Sequence, residues 1–252
     1  MLDAGQDARL RDGILRSVVP GAASGVGIAL SRGAARVWRA REEGVRKLTS
    51  TYRLLVASRN PTKLAELHRV LDSAGVTGLT LVSLDEVPPF DEAPETGSTF
   101  EENALAKAGD AFAATGLPAV ADDSGLAVDA LNGMPGVLSA RWSGRHGDDA
   151  ANTALLLGQL GDVPDGRRGA AFVSACALVF GPAASERSVV RGEWAGSIVR
   201  EPRGDGGFGY DPVFLPAGAT QTAAELTPEE KDVASHRGRA LAALVPSLRA
   251  ML

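Results

Sequence analysis

A short apolar run that leads directly into a helix-start signal constrains the fold of this chain more than any other sequence feature. Residues 53–57 read Arg-Leu-Leu-Val-Ala, a pattern typical of a short buried strand. Asn60 and Pro61 follow closely, and these residue types favour the N-cap and the first position of a helix. The helix then repeats its apolar residues at helical spacing, at Leu64, Leu67, Val70 and Leu71. A strand that passes so quickly into a helix is typical of an α/β fold, and this spacing places Lys63 in the first helical turn.

The rest of the chain alternates between helical and strand patterns in the same way. Ser98 and Glu101 form a capping-box pattern that predicts a helix to about Ala114, ended by Gly116 and Pro118. Further helices are predicted over 148–158, from Thr227 onward and at the C-terminus, and strands over 118–121, 170–180 and 188–194. Strands interleaved with helices predict an α/β fold with a partly parallel or mixed central sheet.

Charge and cysteine content exclude several classes of protein. The formal net charge of −5 argues against a broad nucleic-acid surface, which usually needs a basic excess, but leaves room for a small basic pocket. No stretch reaches the roughly 18 consecutive apolar residues that a membrane helix needs. Cys176 is the only cysteine, so no intrachain disulfide forms, and a reducing, cytoplasmic compartment fits best.

The first fifty residues differ from the rest of the chain. They carry nine Arg or Lys against five Asp or Glu, and residues 21–35 are small and rich in glycine. They lack the apolar core and cleavage site of a secretory signal. We therefore predict an N-terminal extension over residues 1–52, either disordered or the product of a start placed too far upstream, and a working domain over 53–252.

Two neighbouring aspartates offer the clearest candidate for metal chemistry. Asp122 and Asp123 follow the predicted strand 118–121, and a turn there would let both carboxylates point one way. Mg²⁺ takes oxygen ligands, commonly one or two carboxylates together with substrate phosphates. The same residues also fit an Asx turn that opens a loop. Glu95, just before the helix at Ser98, either binds metal or favours the helix dipole.

Two further segments offer candidates for binding a planar, phosphorylated ligand. Lys63 sits where exposed N–H groups and the helix dipole favour a phosphate. The glycine-rich loop 204–212 carries Phe208 and Tyr210, on which a base can stack, and the pattern also fits a hinge whose aromatic rings pack into the core. Additional candidates for phosphate or base contacts, each of which alone is also an ordinary polar side chain, are Lys231, His236 and Arg237.

Six motifs, taken in order along the chain, resemble the inosine triphosphate pyrophosphatase family. They are Ala57-Ser58-Arg59-Asn60 with Lys63, Glu95-Thr96-Gly97 with 100–104, 121–126, Pro135-Gly136 with Ser139-Ala140-Arg141, 206–212, and 225–227 with Glu230-Lys231 and 235–238. Each motif is modest alone, but the ordered set across 53–252 is highly specific, and the first fifty residues have no counterpart in it. The family commonly has a glycine where this chain has Arg59, so that backbone needs no glycine conformation here.

The resemblance implies an elongated α/β fold in which a central mixed sheet, flanked by helices, forms two lobes around a nucleotide cleft. It also implies a homodimer that hydrolyses inosine, deoxyinosine and xanthosine triphosphates to the monophosphate and pyrophosphate, with Mg²⁺. Such an enzyme keeps deaminated purines out of DNA and RNA. The expected partners are therefore the nucleoside triphosphate and a second copy of the chain, with neither nucleic acid nor membrane.

The resemblance also assigns a role to residues of each motif. Asp123 matches the general base, which is also a metal ligand, and Asp122 and Glu95 match acidic positions beside the metal. The triphosphate loop corresponds to Ser58, Arg59, Asn60, Pro61, Thr62 and Lys63. The nucleoside-binding set corresponds to Ser124, Phe208, Gly209, Tyr210, Asp211, Lys231, His236 and Arg237.

Three alternatives stay open at this point. One is a pyrophosphatase for other modified nucleotides, such as modified pyrimidine or methylated nucleotides, which substrate profiling would separate. A second is a nucleotide-binding module without catalysis, against which the intact Asp122-Asp123 pair and Lys63 argue. A third is a nucleic-acid-binding protein, suggested only by the basic first fifty residues, and salt-dependent binding to random duplex would be its signature.

Overall fold

Six strands form one mixed sheet in the computed structural model, which describes residues 51–92 and 94–252. In spatial order the strands are β2 (Leu79–Val82), β1 (Tyr52–Val56), β3 (Ala119–Val128), β4 (Gly169–Phe180), β5 (Glu186–Ile198) and β6 (Phe214–Pro216). β1 runs parallel to both β2 and β3, and the remaining neighbours are antiparallel. The predicted mixed sheet is confirmed, and the sequence patterns do not indicate β2 or β6.

The helices of the described residues start and end at local signals. They are α1 (Pro61–Ser73), α2 (Phe100–Thr115), α3 (Asp149–Gln159), α4 (Pro228–Ala234) and α5 (His236–Met251). The Asn60 side chain caps α1 by accepting from the Thr62 N–H at 2.9 Å, and Pro61 takes the first position, as predicted. Thr227 opens α4 with a capping box. α2 ends at Gly116, whose φ of 69° is a left-handed conformation that favours glycine.

Two predicted boundaries near the aspartates are wrong, and the predicted strand 188–194 is longer than expected, since β5 spans Glu186–Ile198. The N-cap of α2 is Thr99 and not Ser98, so the helix starts one residue later than the capping-box pattern indicates. The predicted strand 118–121 continues as β3 to Val128, because β4 pairs with every residue of it. The aspartate pair therefore lies inside a strand and not in a turn at its end.

The sheet separates two layers of helices, and successive residues of β3 face one layer each. On one face α2 packs against β3 and β4, where Ala121 joins a buried apolar cluster with residues of α2. On the other face Val120 belongs to a cluster with Leu67 of α1 and Leu241 of α5. Since side chains alternate along a strand, Asp122 belongs to the α1–α5 face and Asp123 to the α2 face.

α5 lies very close to β5. A Cβ atom on Gly192 would overlap the carbonyl oxygen of His236 and the backbone nitrogen of Ala240. Glycine at this position therefore permits the approach. The contact fixes the first turn of α5, which includes Arg237, against the sheet.

The C-terminal ends of β3 and β5 and the N-terminal end of β4 form a second lobe together with α3 and β6. Its core contains Phe172, Trp194 and Phe214, whose rings contact one another. The first lobe contains β1, β2, α1, α2 and α5. This division matches the predicted arrangement of two lobes around a cleft.

The predicted N-terminal extension lies outside the described residues up to position 50, so it stays a prediction. β1 begins at Tyr52, one residue before the predicted start of the working domain. Across residues 51–92 and 94–252, every helix is too short or too polar to cross a membrane.

Candidate active site

The α2 face of β3 brings two acidic side chains to one lysine. Asp123 accepts hydrogen bonds from Asn103 Nδ2 at 3.0 Å and from Lys107 Nζ at 3.2 Å. The same Lys107 Nζ lies 2.5 Å from Glu95 Oε1, and Arg141 Nη1 lies 3.1 Å from the other carboxylate oxygen of Glu95. Glu95 and Asp123 therefore converge on one cation position, although they are far apart in the sequence.

Burial and neighbouring charges shift the pKa values of Asp123 and Glu95 in opposite directions. Burial raises the pKa of Asp123, and the opposing contacts from Lys107 and Asn103 do not cancel that rise. Burial also acts to raise the pKa of Glu95, but the contacts with Lys107 and Arg141 outweigh it and lower that pKa. Asp123 is thus the stronger proton acceptor of the pair.

The opposite face of β3 carries a second charge cluster. Asp122 Oδ1 lies 2.8 Å from Lys63 Nζ, and Asp122 Oδ2 lies 3.5 Å from Arg237 Nε. Arg237 also contacts Glu66 at 3.1 Å and donates to Ser124 Oγ at 3.1 Å. Although burial acts to raise the pKa of Asp122, Lys63 and Arg237 outweigh it and lower that pKa to about 2. Asp122 is therefore ionised at any physiological pH.

Residues 58–63, predicted to bind the triphosphate, form a tight turn into α1. The backbone N–H of Asn60 donates to Ser58 Oγ at 3.2 Å, which tightens the turn before α1. Pro61 has no N–H, and the N–H groups of Thr62 and Lys63 donate to the side chain and the carbonyl oxygen of Asn60. The Lys63 ammonium and the positive end of the helix dipole are therefore what would attract an anion here. The Arg59 guanidinium lies 2.6 Å from Glu92, and its side chain is 73% exposed. Arg59 does not have a positive φ, as expected for a position that tolerates a side chain.

A cavity of about 120 Å³ opens beside the second charge cluster. The Phe208 ring at its mouth is 46% exposed, with Lys231 Nζ 5.3 Å and the Arg237 guanidinium 5.6 Å from the ring centroid. Lys231 also pairs with Asp211, whose carboxylate accepts from the Phe208 N–H at 2.8 Å. The exposed ring and two cations form a surface on which a planar base can stack.

His236 forms part of the cavity wall. Its ring stacks on Phe172, with centroids 4.9 Å apart and planes at 13°. Burial, helped by Arg237 and Lys231, moves the pKa of His236 well below its ordinary value, so the imidazole is neutral. Its Nδ1 is buried and has no hydrogen-bond partner within the described residues. A neutral imidazole with a free nitrogen can bond to the edge of a heterocyclic ligand.

The predicted site residues lie around β3, but on both of its faces, and only some of them line the cavity. Phe208, His236 and Arg237 line the cavity, with Ser124 at its wall. Tyr210 is buried and donates to the carbonyl oxygen of Ser139, so it supports the loop beneath the cavity. The turn predicted to aim both aspartates one way is replaced by a strand, which turns Asp122 away from Asp123.

Several residues near the aspartates went unassigned from the sequence. They are Glu66, Asn103, Lys107 and Arg141. Asn103 and Lys107 are four residues apart on α2 and so share one helix face, a signal that the sequence contains. Nothing in the sequence, however, shows that this face meets the second aspartate. No group of three or more His, Cys, Asp or Glu suited to a metal occurs among residues 51–92 and 94–252.

Comparison with known proteins places these residues in a wider context. Residues 54–247 match the profile of the Ham1 family. A protein from Mycolicibacterium paratuberculosis named dITP/XTP pyrophosphatase is 77% identical over 199 residues, which cover 79% of this chain and 96% of that protein. A protein of the same name from Mycobacterium tuberculosis H37Rv is 74% identical, with 79% of this chain and 96% of that protein covered.

Solved structures show the same similarity in three dimensions. The crystal structure of a nucleoside-triphosphatase, or dITP/XTP pyrophosphatase, from Mycobacterium abscessus is 70% identical, with a TM-score of 0.66. The match covers 78% of this chain and 99% of that one. A HAM1 protein from Coxiella burnetii is 42% identical with a TM-score of 0.71, and the match covers 79% of this chain and 99% of that one.

Proposed function

Because this chain belongs to the Ham1 family, we propose that it hydrolyses non-standard purine nucleoside triphosphates, dITP/ITP and XTP/dXTP, to the monophosphate and pyrophosphate. The observation that carries this function is that three parts meet around the aspartate pair of β3. These parts are the carboxylate of Asp123, the phosphate-binding start of α1 with Lys63, and the cavity beside Phe208. The reaction removes deaminated purines from the nucleotide pool.

The acidic residues on the α2 face fit a Mg²⁺ ion. Glu95 and Asp123 both contact Lys107 Nζ, so their oxygens already surround one cation position. Two carboxylates completed by phosphate oxygens and water are a common Mg²⁺ environment. We place Mg²⁺ on Glu95 and Asp123, where it would offset phosphate charge and polarise the reacting phosphate when bound. The assignment of Asp122 to the same metal stays a prediction that its position on the other face does not favour.

The side chains of the cleft have distinct tasks in the reaction. Lys63 and the positive end of the α1 dipole bind and orient the triphosphate. Asp123 accepts a proton from a water molecule while that water attacks the α-phosphorus. The bond between the α-phosphorus and the bridging oxygen breaks, and pyrophosphate leaves. Asn103 and Lys107 orient the Asp123 carboxylate for this transfer by donating to its two oxygens.

Base selectivity would come from the edge of the purine. A 6-oxo purine presents an acceptor where adenine presents an amino donor, and Arg237 and Lys231 are donors at the cavity. The amino group of adenine would meet only donors at these two cations and find no acceptor there, which is costly. The free Nδ1 of the neutral His236 can accept from a purine N–H.

The proposal also covers the bounds of the catalytic domain, the oligomeric state and the cellular compartment. The catalytic domain spans 53–252, which the family match over 54–247 supports. The family resemblance supports a homodimer, which light scattering in solution would test. The single cysteine, Cys176, is buried in β4 and fits a reducing, cytoplasmic location.

The decisive experiment measures pyrophosphate release from dITP, XTP, dGTP and dATP with Mg²⁺. We expect fast release from dITP and XTP, slow release from dGTP and dATP, and dependence on added Mg²⁺. Equal turnover of all four would retain a pyrophosphatase but remove the selective function. Binding of nucleotide without any release would replace the enzyme with a binding module.

A further inference from the structure

Asp122 joins two parts of the cleft that bind different parts of a nucleotide. One carboxylate oxygen faces Lys63 of the triphosphate loop, and the other faces Arg237 of the base cavity. Glu66 lies on the far side of Arg237, at 3.1 Å. The four side chains thus form a continuous line of alternating charge, from the phosphate end to the base end.

The line is buried enough for its charges to depend on one another. The side chains of Asp122 and Arg237 are 11% and 7% exposed, and that of Lys63 is 20% exposed. Buried charges without partners are costly, so Asp122, which faces both cations, holds each of them in place. Without the Asp122 charge, Lys63 and Arg237 would repel each other across the gap it leaves.

The contacts of Arg237 show what the Asp122 charge does for the base cavity. Glu66 and Ser124 bind the terminal nitrogens of the Arg237 guanidinium. Asp122 is the anion that faces its Nε, at 3.5 Å, and this buried nitrogen has no hydrogen-bond partner among the described residues. Loss of that anion frees the guanidinium to turn about its remaining contacts.

We propose that Asp122 is a positioning residue that couples the triphosphate end of the cleft to the base end, through Lys63 and Arg237. The proposal rests on the proposed function, since it assigns part of the base selectivity to a residue of the phosphate cluster. Asp122 does not line the base cavity. Any effect of Asp122 on the choice of base must therefore pass through a residue that lines the cavity. Arg237 is one such residue, and Ser124, which donates to Asp122 at 3.4 Å and accepts from Arg237, belongs to the same contact.

The test compares kcat/KM for dITP and dGTP in the native chain, in Asp122→Asn and in Lys63→Met. We expect Asp122→Asn to lower the dITP-to-dGTP ratio by about tenfold, because Arg237 loses its fixed aim. Lys63→Met should lower both values by a similar factor, on the order of 100-fold, and leave the ratio unchanged. Asp165→Asn is the matched control, because Asp165 is an exposed partner of Arg200 outside the cleft.

Two further measurements keep the outcome interpretable. The double variant Lys63→Met/Asp122→Asn removes both charges of the Lys63–Asp122 ion pair. It is measured in place of Asp122→Asn if that single variant does not fold. It should show the lowered ratio, which Lys63→Met alone does not. The Mg²⁺ concentration for half-maximal rate is measured for every variant, and it should not change in Asp122→Asn.

Three results would contradict this coupling or the function on which it rests. An equal loss for dITP and dGTP in Asp122→Asn, or in the double variant, would reduce Asp122 to a support for Lys63. An increased Mg²⁺ requirement with an unchanged ratio would make Asp122 a metal ligand instead. A native chain that releases no pyrophosphate from either nucleotide would reject the proposed function itself, before any variant is compared.

Discussion

The two faces of β3 carry chemically identical side chains that have different roles. The side chains of Asp122 and Asp123 are 11% and 10% exposed, so burial alone does not distinguish them. Asp122 faces two cations and has a pKa lowered to about 2, whereas Asp123 shares Lys107 with a second acid and has a raised pKa. The balance of neighbouring charge, and not the residue type, raises the pKa of one aspartate and lowers that of the other.

The largest effect is expected on the α2 face. Asp123→Asn removes the proton acceptor and one proposed metal ligand, so kcat for dITP should fall by about 10³-fold or more. Pyrophosphate release in a steady-state assay measures it, and a binding assay should show that the variant still binds dITP. A residual rate within tenfold of the native rate would show that another group accepts the proton.

Substitution of the lysine on each face should separate the two faces kinetically. Lys107→Met should lower kcat by about 100-fold, because Asp123 loses a donor that orients it. The same variant should need less Mg²⁺ for half-maximal rate, since Glu95 and Asp123 lose their internal cation. Lys63→Met should act mainly on KM for dITP. The same kcat and KM pattern in both variants would contradict the division between the faces.

Removal of the exposed ring should affect binding on the Asp122 side only. Phe208→Ala should raise KM for dITP by about tenfold, since stacking of a base on an aromatic ring contributes roughly 1–3 kcal/mol. Phe208→Tyr, which keeps the ring, is the matched control and should stay near the native KM. A large fall in kcat with unchanged KM in Phe208→Ala would mean that the ring has a role outside base binding.

The free energy of unfolding at acid pH should report how much the ion pairs of Asp122 contribute to stability. The folded pKa of about 2 lies below the ordinary value of 3.8, so the native state gains stability above about pH 4 and loses it as pH falls toward 2. The shift corresponds to about 2 kcal/mol in the free energy of unfolding. Urea unfolding of the native chain and of Asp122→Asn at several pH values measures it. The variant should lack this part of the acid sensitivity, and parallel curves would contradict the assignment.

The smallest effect is expected from removing the first fifty residues. The two aspartates of β3 and the charged side chains that contact them lie in residues 63–237. A chain of residues 51–252 should therefore keep kcat and KM for dITP within about twofold of the full-length values. A clear loss of activity or solubility would assign the first fifty residues a role in the working domain.

Local signals in the sequence predict where the helices begin, because a cap depends on a few adjacent residues. Asn60 and Pro61 start α1, and Thr227 starts α4, as expected. The start of α2 is displaced by one residue because Ser98 and Thr99 are both good caps, and the sequence does not rank them.

The site geometry depends on contacts that no local pattern contains. Asp122-Asp123-Ser124-Gly125 has the composition of a turn, but pairing with β4 across the whole of β3 keeps it extended. The converging position of Lys107 depends on how α2 packs on the sheet. The sequence therefore indicates which residues belong to the site but not which carboxylate faces which cation.

The alternation of side chains along β3 also limits how this enzyme can change in length. Inserting or deleting one residue of the strand ahead of Asp122 would exchange the faces of the two carboxylates, whereas a change of two residues would restore them. An even change in the number of strand residues therefore preserves the two faces of the site, and an odd change does not, whichever residues are involved. Variation in chain length is expected to collect in the loops, since a length change there leaves the order of the two faces intact.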